Sequence, residues 1–311
     1  MIYTLTCNPS LDYHTPLTRI NVGAMNRTKS ARIVAGGKGL NVSVVLGSFG
    51  VETKTLAVVA GFTGDEWLSL ARKEGVDVGV VALKEGQTRI NVKIDGVDQT
   101  EINAPGPQIS GDKMSEYFKL LDMIGSDDTL CICGNGLPGM APHAYADIID
   151  YVSQKGARIV VDATGDLMRN ALSRKPFLIK PNESEMSEIA NSSIDSEEDI
   201  IECAQRFLNM GVENVLVSLG KKGAILVCGD GAIYRASAPK GRARNTVGSG
   251  DSMLAAFLYG YDSGLSMREA LALSVAAGSA AAFSENLATK EAAYAILDKV
   301  ETEIISDKKN D

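Results

Sequence analysis

Aromatic residues make up only 5% of the 311, with a single tryptophan, so the chain has little with which to stack nucleic-acid bases. Positive charge is also in deficit: 31 Lys and Arg against 39 Asp and Glu leave a formal net charge of -8. That argues against broad binding to nucleic acid or to an anionic membrane. It does not exclude a phosphate ligand, which needs only a local group of cations. No apolar run is long enough to span a bilayer. The start, Met1-Ile2-Tyr3-Thr4-Leu5-Thr6-Cys7, reads as a strand and lacks the basic start and apolar core of a signal peptide. Five cysteines, an odd number without framework spacing, point to reduced thiols and a cytoplasmic location. Cys131 and Cys133 fall on one strand face, which allows a metal pair. With no second pair and no nearby histidine, buried thiols are the favoured reading. His14 is expected at the surface.

The rest of the composition, 45% hydrophobic and 23% charged, suits one large domain or one domain with a small appendage. Strands are expected at 1–7, 53–60, 129–133 and 157–161, and helices at 64–74, 112–124, 142–155 and 165–173. This β-α alternation marks an α/β fold with a doubly wound, mainly parallel sheet. Ligands in such sheets bind outside the carboxyl ends of the strands. Asn8-Pro9-Ser10-Leu11-Asp12 reads as a turn leaving the first strand, with Asp12 at the strand end that faces a ligand. Gly134–Gly139 and Asp162–Gly165 follow later strands in the same way. The polar residues Ser306 to Asp311 are expected to fray.

One stretch stands out: Asn245-Thr246-Val247-Gly248-Ser249-Gly250-Asp251-Ser252, followed by the apolar run Met253–Leu258. Two glycines allow a tight turn, and the apolar run reads as a buried helix. The first N–H groups of that helix lack partners and its dipole is positive there, which suits an anion. Asp251 sits at the same end. It is either a helix cap or, beside a bound phosphate, the base that takes a proton from an attacking hydroxyl. A carboxylate at a helix N-terminus is expected to stay ionised. The alanine-rich helix at 266–283 is expected to pack beside it.

Three other segments carry chemistry. Ala35-Gly36-Gly37-Lys38-Gly39-Leu40-Asn41-Val42 is a glycine-rich cradle before an apolar helix, but it is neither a Walker loop nor a dinucleotide fingerprint. Thr88–Ile94 alternates strictly, with Asp95-Gly96 as a hairpin turn and Gln99–Asn103 returning. Arg89, Asn91 and Lys93 therefore share one face, either solvated or laid over a ligand. In Lys180-Pro181-Asn182-Glu183-Ser184-Glu185, the pair Asn182 and Glu185 is either a capping box or a weak oxygen site holding Mg²⁺ through water.

Together, Asn8–Asp12, Gly36–Val42, Asn182–Glu185 and Gly248–Asp251 resemble the PfkB (ribokinase-like) family of carbohydrate kinases, over nearly the whole chain. Within it, Thr88–Ile94 and Thr100–Pro107 are most similar to the 1-phosphofructokinase branch. The tagatose-6-phosphate kinase branch comes next. The resemblance implies a single ribokinase-like kinase domain, 1–311, into which segments 13–34 and 88–103 are inserted as a small β-sheet lid. It implies ATP and Mg²⁺, fructose 1-phosphate as acceptor, and tagatose 6-phosphate as the alternative. Asp251 would be the general base, and Gly248, Ser249 and Gly250 would hold the transferring phosphoryl charge. Asp12, Gly37, Lys38 and Asn41 would grip the sugar. Arg89, Asn91, Lys93 and Asn103 would surround its phosphate, with Arg27 reaching across a homodimer formed through the lid. Lys180, Asn182, Ser218, Gly220, Lys222 and Val247 would lie along the nucleotide, and Asn182 and Glu185 would organise Mg²⁺. A non-catalytic sugar-phosphate sensor is the reading from a different class. A sensor has no need of a base such as Asp251.

Overall fold

The structure, a computed structural model, describes residues 1–96 and 100–306. In chain order its strands are β1 (Ile2–Thr6), β2 (Ser10–Pro16), β3 (Arg32–Gly36), β4 (Thr53–Ala60), β5 (Asp77–Leu83), β6 (Arg89–Asp95), β7 (Thr100–Ile102), β8 (Thr129–Cys133), β9 (Arg158–Asp162), β10 (Leu178–Ile179), β11 (Asn214–Ser218), β12 (Ala224–Cys228), β13 (Ile233–Ser237) and β14 (Glu301–Ser306). The helices are α1 (Lys38–Ser48), α2 (Gly61–Lys73), α3 (Gly111–Leu120), α4 (Ala144–Ser153), α5 (Gly165–Leu172), α6 (Glu183–Ala190), α7 (Glu197–Asn209), α8 (Ser249–Asp262), α9 (Met267–Ala282) and α10 (Lys290–Leu297).

Ten strands form one sheet in the order β14-β13-β12-β11-β10-β9-β8-β1-β4-β5. Pairing is parallel from β5 through to β11 and antiparallel from β11 to β14. Both faces are covered, and the period-two alternation of side chains shows how. On β8, Leu130 and Ile132 pack into one apolar core while Cys131 and Cys133 pack into the other. On β11, Val215 and Val217 face the first core and Leu216 the second. Residues from α4 to α7 contribute to the first core, and α1, α8, α9 and α10 to the second. The two sulfurs on β8 lie 3.6 Å apart, and all five cysteines are buried and outside any disulfide among the described residues.

Four strands form a second sheet, in the order β3-β2-β6-β7. Its register puts Asp12 opposite Asn91 and Val34, and His14 opposite Lys93 and Arg32. The two faces differ in kind. Ser10, Asp12, His14, Asn91 and Lys93 are buried on one, while Ile33, Ile90 and Ile102 are 49%, 45% and 59% exposed on the other. The usual arrangement, apolar inside and polar outside, is inverted.

Several expectations need correction. The segment Asn8–Asp12 is not a turn throughout: β2 begins at Ser10, and Asp12 lies within the strand. The apolar-polar alternation from Ser10 to His14 is a strand pattern that the preceding Asn-Pro obscures. His14 is buried, 5% exposed, because it lies on the inward polar face of β2. The helix expected from 64 begins at Gly61. Ser306 does not fray; β14 pairs with β13. The return of the hairpin at Gln99 and the tail 307–311 lie outside the described residues.

Candidate active site

The carboxyl ends of β1, β9, β10 and β11 open into one cleft of about 1130 Å³. Asp162 ends β9, Lys180 follows β10 and Ser218 ends β11. The small sheet lies over the other side with its polar face inward, so Asp12, Arg89, Asn91, Lys93 and Asn103 line the same cleft. So do Gly37, Lys38, Asn41, Asn182, Glu185, Gly220 and Val247 to Asp251. Two expected residues are placed elsewhere. Arg27 is exposed on the segment between β2 and β3. Lys222 points to Glu183, with a 3.3 Å ion pair at the rim.

Two helices begin at this cleft without side-chain caps. Gly37 precedes α1 with φ 138°, and Gly248 precedes α8 with φ 77°, conformations that favour glycine. At Gly37 a Cβ would also lie 2.6 Å from the Thr6 methyl. Both helix ends therefore offer backbone N–H groups to a ligand. The N-termini of α6, α7, α9 and α10 are instead closed by Asn182, Ser196, Ser266 and Thr289. The hydroxyl of Ser249 is buried without a hydrogen-bond partner.

Asp251 is not a cap. No side chain caps α8, and Asp251 Oδ2 instead accepts from Asn41 Nδ2 at 2.7 Å. Its carboxylate is 5% exposed. Burial pushes its pKa above the usual aspartate value. Lys38 pulls it down, Asp162 pushes it up again, and Asn41 and Lys180 lower it. Desolvation outweighs the favourable groups and sets the direction of the shift.

The cations are held by Asp162, which the sequence placed at the ligand-facing strand ends without giving it a role. Asp162 is fully buried, with Lys38 Nζ 3.1 Å from Oδ1 and Lys180 Nζ 3.3 Å from Oδ2. Burial opposes its charge, but Lys180 and Lys38 outweigh that and keep its pKa below the ordinary carboxylate value. Asp162 in turn raises the Lys38 pKa. Lys180 Nζ sits over the α8 terminus, where a Cβ on Gly250 would lie 3.2 Å from it. The only local signal for Asp162 was its place at the end of a strand.

At the small-sheet end, Asp12 Oδ1 accepts from Ser10 Oγ at 2.7 Å and from Asn91 Nδ2 at 3.0 Å. Arg89 bonds the Ala104 carbonyl at 3.3 Å, while its buried Nε has no partner. Burial lowers the Arg89 pKa. Lys93 pairs with Glu101, another residue not anticipated, at 2.5 Å. Asn182 and Glu185 do form a capping box: Glu185 N donates to Asn182 Oδ1 at 2.8 Å and Asn182 N to Glu185 Oε2 at 2.9 Å. The other Glu185 oxygen lies 3.8 Å from Lys38 Nζ. An apolar wall from Met253, Val275 and Phe283 completes the cleft. Only the packing of α9 beside α8 was readable in advance.

A buried carboxylate, two helix N-termini and two lysines in one cleft can take a proton from a hydroxyl and hold phosphoryl charge. Residues 9–293 match the model of the pfkB family of carbohydrate kinases. The chain is 38% identical over 301 residues to 1-phosphofructokinase of Bacillus subtilis, covering 96% of this chain and 98% of that one. It is 33% identical over 288 residues to D-tagatose-1-phosphate kinase of Bacillus licheniformis, covering 92% and 94%. The crystal structure of phosphofructokinase-2 from Escherichia coli in complex with substrates and products superposes with a TM-score of 0.90 at 30% identity, covering 96% and 98%. Sequence, fold and cleft agree over almost the full length, and the chain belongs to the pfkB family of carbohydrate kinases.

Proposed function

We propose that this kinase transfers the terminal phosphoryl group of ATP to fructose 1-phosphate, giving fructose 1,6-bisphosphate. The observation that carries the reading is the buried Asp251. Asn41 bonds its Oδ2 and leaves Oδ1 for the acceptor hydroxyl, directly beside the α8 terminus. Asp251 takes the proton as the sugar oxygen attacks phosphorus, and the phosphorus–oxygen bond to ADP breaks in line. The N–H groups of Gly248 to Gly250, the Ser249 hydroxyl, Lys38 and Lys180 receive the charge on the transferring group. A positioned base contributes roughly 10²–10⁴-fold.

Asp12, Gly37, Asn41 and Asn91 grip the sugar. Arg89 offers its unpartnered Nε to the phosphate already on it, with Lys93 and Asn103 beside it. Ser218, Gly220 and Val247 lie along the nucleotide. Among the described residues no group of three or more His, Cys, Asp or Glu could hold a metal. The Glu185 oxygen outside the capping box, which faces Lys38, and Asn182 fit a Mg²⁺ that would be held mainly by nucleotide phosphates and water. When bound, that ion neutralises phosphate charge. The small sheet acts as a lid that excludes water. Its outer face of Ile33, Ile90 and Ile102 suits a second copy of this chain, which would supply Arg27 to the sugar phosphate. No helix among the described residues is long and apolar enough to cross a membrane, in keeping with a cytoplasmic enzyme.

The second reading is a tagatose phosphate as acceptor. Tagatose 6-phosphate was the expectation from the sequence, whereas the tagatose relatives are named for the 1-phosphate. Steady-state kinetics with fructose 1-phosphate, fructose 6-phosphate and both tagatose phosphates separates these. The highest kcat/KM is expected for fructose 1-phosphate. A higher value for any of the others would overturn the assignment.

A further inference from the structure

A second cavity of about 1140 Å³ lies beside the cleft, on the far side of the loop before α8. Arg32, Lys240, Arg242, Arg244 and Lys299 line it, against a single carboxylate, Glu285. In a chain with net charge -8, five cations around one cavity make a strong local departure. None of the five forms an ion pair with a carboxylate among the described residues. The one side-chain bond they make within this group is from Arg32 to the Glu285 carbonyl, at 3.4 Å. Five cations from three separate parts of the chain repel one another around this basin, and an anion bound among them relieves that repulsion. Guanidinium groups also match phosphate oxygens in pairs.

The basin and the cleft share a wall. Pro239, Lys240, Gly241, Ala243 and Phe283 border both. Gly241 packs directly on the Phe283 ring. The loop is tied to the end of α9 by Arg244 N to the Ala282 carbonyl at 2.8 Å. Lys240 is thus one ammonium that two anions would share.

We propose that this basin binds a multiply phosphorylated small molecule, separately from the cleft, and that its occupancy weakens nucleotide binding in the cleft. Two anions across one thin wall repel, and each competes for Lys240. A single phosphate is a poor match for five cations spread around a cavity of this size. A di- or triphosphate spans them.

The test uses the full chain and inorganic tripolyphosphate as the probe, with binding read by titration calorimetry. Wild type is compared with Arg242→Glu/Lys299→Glu in the basin and with Lys180→Met in the cleft. Lys180→Met is expected to keep the basin isotherm. The basin pair is expected to bind at least about tenfold more weakly, with basal kcat unchanged. Arg242→Gln/Lys299→Gln serves as a milder pair should the charge reversal unfold. Tripolyphosphate is also expected to raise the apparent KM for ATP about fivefold in wild type and by much less in the basin pair. Undiminished binding in both basin pairs, or its complete loss in Lys180→Met, would overturn the proposal. The isotherm does not depend on turnover or on which sugar is phosphorylated, so its failure is distinct from failure of the kinase reading.

Discussion

Asn41 Nδ2 donates to Asp251 Oδ2 at 2.7 Å, joining the first turn of α1 to the first turn of α8 across 210 residues of sequence. The bond favours the charged carboxylate, while burial disfavours it and wins. A base must be unprotonated, so kcat/KM should fall as pH drops through a value above the ordinary 3.8 of aspartate. Asn41→Ala removes one group that lowers that pKa. The acid limb of the pH profile is expected to move to higher pH. An unmoved limb would separate Asp251 from the titration.

Asp162→Asn should act in the opposite sense on the same profile. Asp162 raises the Asp251 pKa, so neutralising it moves the acid limb to lower pH. It also leaves Lys180, 4% exposed, beside Lys38 with no counterion between them. Breaking a buried pair typically costs about 3–5 kcal/mol, which urea unfolding at neutral pH would register. The wild-type contribution has a defined window. The folded pKa is depressed, so the stability is present above 3.8 and is lost as pH falls through the lower folded value.

Gly248→Ala tests the turn itself. The backbone there has φ 77°, and the Leu287 side chain occupies the space a Cβ would need. The left-handed conformation alone costs roughly 1–2 kcal/mol. A lower thermal midpoint is expected together with reduced kcat, because relief of the clash shifts the α8 terminus. A variant with wild-type kcat would show that the N–H groups there do not hold the reacting phosphoryl group.

The inverted small sheet gives an assembly prediction. Ile90→Asp puts a charge into the centre of the exposed apolar face, away from the cleft residues. Sedimentation analysis is expected to change from dimer to monomer. A wild type that sediments as a monomer would remove the proposed role of this face.

The features legible in the sequence were those encoded within a few residues. Gly248 at the start of α8, the Asn182–Glu185 spacing and the alternation of β8 each declare their geometry locally. The inward face of Arg89, Asn91 and Lys93 could be listed from alternation, but not aimed. Its direction depends on the parallel pairing of β2 with β6, residues about 80 apart. The roles of Asp162 and Glu101 escaped notice for the same reason: each depends on lysines on other elements. The cap-or-base ambiguity at Asp251 could not be resolved from residues 245–252, because the deciding partner is Asn41. The upward direction of its pKa was not legible there either, since it comes from a desolvation that no local pattern reveals.

The most direct test of phosphoryl transfer by this cleft is steady-state ADP release by Asp251→Asn on fructose 1-phosphate, beside sugar-phosphate binding by calorimetry. Loss of kcat by roughly 10²–10⁴-fold with sugar-phosphate affinity retained is the expected result. ADP release at the wild-type rate would contradict the assignment of Asp251 as the base.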